Sequence, residues 1–180
     1  MDILINAPED AKNRSEREMR VYRFLDGLKI KYIRADHEAA DTMEKCLEID
    51  KALDVKMCKN LFLCNRQKTN FYLLLMPGDK PYKTKEISSQ IGSARLSFGE
   101  TEYLQKYLDI MPGSVSVLGL INDKAKAVTL LVDKDLLDNE YIGCHPCVNT
   151  SSLKIKTADI LEVFLPSVDH KPVFVELKGQ

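Results

Sequence analysis

Leu61-Phe62-Leu63-Cys64 and Phe71-Tyr72-Leu73-Leu74-Leu75-Met76 are two apolar runs separated by the polar stretch Asn65-Arg66-Gln67-Lys68-Thr69-Asn70. Two short apolar runs around a polar turn are a hairpin signal. The second run has no polar alternation. A strand that exposes one face to water alternates, so this run predicts a strand covered on both faces. Pro77-Gly78-Asp79 ends it. A strand buried on both sides needs a layer of other elements above and below it, which points to an α/β domain.

The flanking chain supplies such layers. Residues 13–28 carry Val21, Phe24, Leu25 and Leu28 at helical spacing, with Ser15-x-x-Glu18 as a capping box. Ile30, Tyr32 and Ile33 mark a short strand ending near Asp36. Asp41-x-x-Glu44 predicts the start of a second helix with Cys46, Leu47 and Leu53 turned inward. Short helical patterns surround Lys85–Ile91 and Glu102–Leu108. Ser114–Ile121 and Ala127–Val132 read as a second strand pair around Asn122-Asp123-Lys124. Leu153–Thr157 alternates like a strand, Ala158–Leu165 reads as a helix, and Pro172–Leu177 as a last strand. The expectation is one domain over residues 1–180, with its core at about 13–178, built as a central mixed β-sheet flanked by helices.

Composition narrows the function classes. The chain has 180 residues, 44% hydrophobic and 29% charged, with net charge −1. That is ordinary for a globular protein and gives no global attraction to nucleic acid, so a nucleic-acid partner needs a local patch. Lys51, Lys56, Lys59, Lys80, Lys83 and Lys85 are the sequence's candidates for one. The N-terminus lacks the pattern of a signal peptide, and no apolar stretch reaches the length of a membrane span. Five cysteines without an export signal predict reduced thiols and a cytoplasmic protein.

The chemistry-bearing residues concentrate in Gly143-Cys144-His145-Pro146-Cys147-Val148-Asn149-Thr150. Cys144-x-x-Cys147 admits a thiol oxidoreductase. A reactive pair usually opens a helix whose N-terminus stabilises the thiolate, however, and Cys147 is followed by Val-Asn-Thr-Ser-Ser with no helical period. Cys58 and Cys64 are spaced too widely for a zinc knuckle, so no metal site is expected. In the rest of the segment, Pro146 pushes His145 toward extended geometry. Gly143 allows an unusual angle or a close approach. Asn149 and Thr150 can fix a loop through local hydrogen bonds. Met111-Pro112-Gly113-Ser114 precedes another apolar run, and its backbone N–H groups could meet an anion or a carbonyl. Lys59 and Asn60 stand at the start of a buried strand, where a lysine can reach a phosphate. Each cluster alone is also compatible with an ordinary turn or strand end.

Together and in order, Lys59-Asn60-Leu61-Phe62-Leu63, Gly113-Ser114-Val115-Ser116 with Gly119-Leu120-Ile121-Asn122-Asp123, and Gly143-x-His145-Pro146-x-x-Asn149-Thr150 resemble the YbaK/prolyl-tRNA-synthetase editing-domain family, in its free-standing ProX branch. The resemblance covers almost the whole chain. It implies a cofactor-independent hydrolase that removes a noncognate amino acid, usually alanine, from the acceptor end of tRNA(Pro), with prolyl-tRNA synthetase as a partner. It implies roles for Lys59, Gly113 and His145; with Ser114 these are the expected catalytic positions, and Asn60, Asn149 and Thr150 are the expected substrate contacts. Position 117 departs from the family element Gly-x-x-x-Pro, because valine stands where proline is usual. Loss of activity with retention of the fold would leave a tRNA-binding module.

Overall fold

The computed structural model describes residues 1–180. Its strands form two sheets where one was expected. The first is antiparallel, in the order β1 (Asp2–Leu4), β2 (Tyr32–Asp36), β8 (Ser151–Lys156), β7 (Tyr141–Cys144). The second is mixed, in the order β5 (Ser97–Phe98), β3 (Lys59–Cys64), β4 (Phe71–Met76), β6 (Val128–Asp133), β9 (Val173–Val175). The hairpin β3–β4 pairs Lys59 with Met76 and Cys64 with Phe71, while β4–β6 and β6–β9 are parallel.

The apolar run 71–76 is covered on both faces, as its composition requires. Leu73 and Leu75 enter the main core, and Leu74 and Met76 enter a second cluster with Ile87, Leu96 and Leu177. The main core lies between the sheets. It takes Ile142, Leu153 and Ile155 from the first sheet and Phe62, Leu130 and Val132 from the second. It is closed by α1 (Glu16–Gly27), α4 (Thr101–Leu108) and a C-terminal helix α5, made of Thr157–Asp159, a π-helical stretch Ile160–Phe164, and Leu165–Ser167. The helix α3 (Thr84–Ile91) covers the far face of the mixed sheet through Ile87, and α2 (Met43–Leu53) packs Ile49 and Leu53 on Ala35 of β2.

Three local expectations fail. Residues 114–121 are not a strand: Ser114–Ser116 are extended and Val117–Asn122 form a 3-10 turn capped by Ser116, whose Oγ accepts from Leu118 N–H. That run is buried almost throughout, so its apolarity carried no period to read. Thr42, not Asp41, caps α2, and Cys46 and Leu47 are exposed. The capping box is half made. Glu18 N–H donates to Ser15 Oγ, but the Glu18 carboxylate turns inward to Arg14, Tyr22 and Ser151.

The two sheets meet at Gly143. Cys58 N–H donates to Gly143 O at 2.9 Å, and Met57 bridges Gly143 in parallel. A Cβ at Gly143 would lie 2.7 Å from Met57 Sδ and 3.1 Å from its Cα, so glycine is required for close approach. This seam joins the strand that carries Lys59 and Asn60 to the strand that leads into His145.

Candidate active site

Asn60 and Lys59 are neighbours on β3, and adjacent strand residues face opposite sides. Asn60 Oδ1 accepts from Val117 N–H at 2.9 Å, which ties β3 to the start of the 3-10 turn. Lys59 Nζ donates to the Lys80 carbonyl. Asn60 therefore supports the Gly113–Val117 segment from beneath.

Met111-Pro112-Gly113-Ser114 is a tight turn closed by Ser114 N–H to Met111 O at 3.2 Å, with Gly113 at φ 87°. Proline second and a left-handed third residue define a type II turn. The Ser114 N–H is consumed by this closure. The N–H groups of Gly113 and Val115 have no partner within the chain. The Ser114 hydroxyl also lacks one, although the residue is buried. No buried side-chain N or O atom in the structure goes unpaired, so this hydroxyl touches solvent through an opening.

The Gly143–Thr150 segment comes to the same place. A Cβ built on Gly113 would lie 3.9 Å from Asn149 Nδ2, so two motifs far apart in sequence are adjacent in space. The Asn149 carbonyl accepts from Ala40 N–H and the Thr150 carbonyl from His37 N–H, both at 3.0 Å, which docks the loop on the segment after β2. The Asn149 amide itself is unpaired. Thr150 is exposed.

His145 Nδ1 lies 2.9 Å from Ser151 O. A carbonyl only accepts, so the ring carries its proton on Nδ1 and presents a bare Nε2. Nε2 has no partner and therefore reaches solvent, by the same accounting as Ser114. Burial lowers the pKa of His145, with His37 adding to the effect against the Ser151 hydrogen bond, so the ring is a neutral acceptor near pH 7. The Gly113 turn and Asn149 thus bring together an unpaired amide, a hydroxyl and two backbone N–H groups, and the bare His145 nitrogen belongs to the same loop as Asn149. That set can hold a polar substrate and meet a developing oxyanion.

The cysteines do not form a redox site. Cys144 and Cys147 are each 1% exposed and unbridged. Burial pushes the thiol of Cys147 up to about 12 and raises that of Cys144 as well, so neither is a thiolate nucleophile. Cys147 sits at φ 61° in a bend, with no helix after it.

The basic rim is also rearranged. Lys56 pairs with Asp79, and Lys80 pairs with Asp133 and Asp135. Lys51, Lys56 and Lys80 line a concavity of about 910 Å³, together with Asp50, Asp54, Asp79, Asp135, Asp138 and Glu140. That cavity contains none of the expected site residues and its charge repels a polyanion. The unpaired polar groups favour the place where the Gly113 turn meets Asn149 instead. Two arginines of α1, Arg17 and Arg20, both bond Asp109 and lie close enough to Cys147, in the same loop as Asn149, to influence its thiol. His37, Ser152 and these arginines were absent from the sequence-based site. Only the polar run Asn149-Thr150-Ser151-Ser152 ahead of an alternating strand hinted at them.

Residues 37–163 match the model of the aminoacyl-tRNA editing domain. The chain is 32% identical over 139 residues to the prolyl-tRNA editing protein ProX of Acetoanaerobium sticklandii, covering 77% of this chain and 85% of that one. It is 30% identical over 171 residues to the prolyl-tRNA synthetase associated domain-containing protein 1 of Danio rerio, covering 94% and 89%. The fold matches that of a candidate trans-editing enzyme for prolyl tRNA synthetase with TM-score 0.67 at 15% identity, over 91% of this chain and 98% of the other. The chain belongs to the aminoacyl-tRNA editing domain family, whose members are hydrolases of the aminoacyl-tRNA ester.

Proposed function

We propose that this protein acts in trans on tRNA(Pro) and hydrolyses the alanyl ester left by mischarging. The observation that supports this most is the meeting of the Gly113 turn with Asn149, which joins the turn that carries the Ser114 hydroxyl to the loop that carries His145 with its bare Nε2. The ester is already activated, so the protein needs chiefly to orient a water and stabilise the oxyanion. The N–H groups of Gly113 and Val115 suit the oxyanion, since that of Ser114 is taken by the turn. His145 Nε2 and the Asn149 amide suit the terminal ribose or the amino group of alanine, with Thr150 at the rim. Asn60 holds the turn. Lys59 would have to leave the Lys80 carbonyl to meet a nucleotide phosphate. Alanine fits a pocket that excludes a proline ring by size, whereas rejecting a smaller residue in a larger pocket gives little discrimination.

A deacylation panel of alanyl-, seryl-, cysteinyl- and prolyl-tRNA(Pro) tests this reading. Alanyl-tRNA should be hydrolysed fastest. Turnover of none of them would leave a tRNA-binding module of the same fold. Loss of activity in Cys144→Ser together with Cys147→Ser, with folding intact, would revive the thiol reading.

A further inference from the structure

His37 sits in the loop after β2 with its ring centroid 6.4 Å from that of His145. It does not contact the opening through a free nitrogen, because both of its ring nitrogens are engaged. Nδ1 is 2.7 Å from Glu38 O, and Nε2 is 2.9 Å from Ser152 Oγ. In the neutral ring the carbonyl claims the proton on Nδ1, so Nε2 is the acceptor and the Ser152 hydroxyl must donate to it. A serine hydroxyl has one proton. Once that proton points at His37, only lone pairs of Ser152 Oγ face His145 Nδ1, which lies 3.3 Å away.

That direction matters for the site. His145 has two neutral forms, and the hydrogen bond made by one nitrogen decides which nitrogen is bare. With the proton on Nδ1, the ring donates to Ser151 O at 2.9 Å and, more weakly, to Ser152 Oγ. With the proton on Nε2, Nδ1 would accept from Ser152 if that hydroxyl were free to donate. The outward face of His145 would then be a donor in place of an acceptor.

We propose that His37 is a positioning residue: by taking the only proton of Ser152 it removes the competing donor and holds His145 in the form whose Nε2 is a bare acceptor toward the substrate. The proposal rests on the reading of His145 as a pocket residue, but its primary measurement does not need a substrate.

The test is the tautomer of His145, read from long-range proton–nitrogen NMR spectra at pH 7.5 in the intact protein. The variants are His37→Phe, which keeps a ring without nitrogens, His37→Gln, which restores an acceptor, Ser152→Ala, and the double variant. Wild type and Ser152→Ala should both show the Nδ1-protonated form, since neither offers a competing donor. His37→Phe should show a mixture, because Ser152 regains a free proton. The double variant should return to the single form, as should His37→Gln. Damage to packing alone would not be repaired by a second substitution. An unmixed Nδ1–H signal in folded His37→Phe, or a mixture that persists in the double variant, overturns the proposal. Alanyl-tRNA(Pro) deacylation is measured alongside, with a fall expected for His37→Phe in proportion to the lost Nδ1–H fraction, about twofold for an even mixture, and recovery in the double variant, because a histidine in the wrong tautomer loses its acceptor. Tautomer changes as expected with no deacylation by wild type would support the relay and sink the functional reading, so the two failures are separable.

Discussion

Gly113 and Gly143 show how one residue type serves two purposes at this site. Gly113 is held at φ 87° by its turn and has open space around a built Cβ, with only Asn149 Nδ2 at 3.9 Å. A side chain there meets backbone strain, so Gly113→Ala should cost about 1–2 kcal/mol in unfolding free energy, and denaturant titration measures it. Activity should fall as well, because relief of that strain would turn the unpaired N–H of residue 113 out of its present direction. Gly143 has no such angle but no room either, with Met57 in the way. The sequence leaves angle and close approach open for Gly143, and only the packing of Met57 chooses between them. The thiols make a second residue-scale prediction. Burial raises Cys58 and Cys147 to about 12 and raises Cys64 and Cys144 too, whereas Cys46 is exposed. A thiol reagent at pH 8 should label Cys46 rapidly and the other four only after denaturation. Fast labelling of Cys144 in native protein would contradict the buried arrangement.

At the scale of elements, the hydrogen bond between Asn60 and Val117 is the most instructive. The resemblance read from the sequence implies proline at position 117, and valine supplies an N–H that proline lacks. Asn60 Oδ1 takes that N–H. Val117 is the first residue of the 3-10 turn after its Ser116 cap, a position where proline is sterically acceptable. Val117→Pro should therefore fold, at a cost of about 1 kcal/mol for one hydrogen bond, and free the Asn60 side chain. Asn60→Leu should cost more, about 1–3 kcal/mol, because it strands a buried N–H. If the two variants prove equally stable, the strut is not what holds the turn. The strands 59–64 and 71–76 were legible because their composition and their environment agree. The 3-10 turn was not, because an apolar run buried on every side has no period to distinguish strand from helix.

For the whole molecule, the electrostatics are local. Arg17 and Arg20 both pair with Asp109 and lie near Cys147, while three of the six lysines expected to form a rim, Lys51, Lys56 and Lys80, line an acidic concavity. Replacing Arg17 and Arg20 by alanine should weaken tRNA binding and reduce the salt dependence by about one unit of slope for each phosphate that is no longer neutralised. Equivalent changes at Lys51 and Lys56 should have little effect. Acid stability follows from two kinds of group. Burial alone would raise Asp123, yet His170 and the N–H groups of Val128 and Ala127 hold it below the ordinary value, and Arg14, Ser151 and Arg34 do the same for Asp36. Stability from these carboxylates is complete above their unfolded value of about 3.9 and is lost as pH falls through the lower folded values. His145 acts at higher pH. Its folded pKa is lowered by burial, so the unfolded chain takes up the proton first and stability declines as pH drops below about 6.5. Thermal midpoints between about pH 3 and 8 should show both declines, and His145→Gln should remove the upper one alone. No helix is long and apolar enough to cross a membrane.

Sequence by itself determined the α/β class, the doubly buried hairpin strand, the main helices and the three motifs of the editing family, because composition, spacing and capping are local properties of the chain. It also ordered the site residues, but it could not say which share an opening. Folding brings Gly113 to Asn149, sends Lys59 and Asn60 to opposite faces, and buries Cys144 and Cys147 as protonated thiols. It alone divided one expected sheet into two, joined at Gly143. The reason is physical: direction, burial and hydrogen-bond partners belong to contacts between distant segments, and His37, Ser152 and His145 acquire a relation only when β2 and β8 pair side by side.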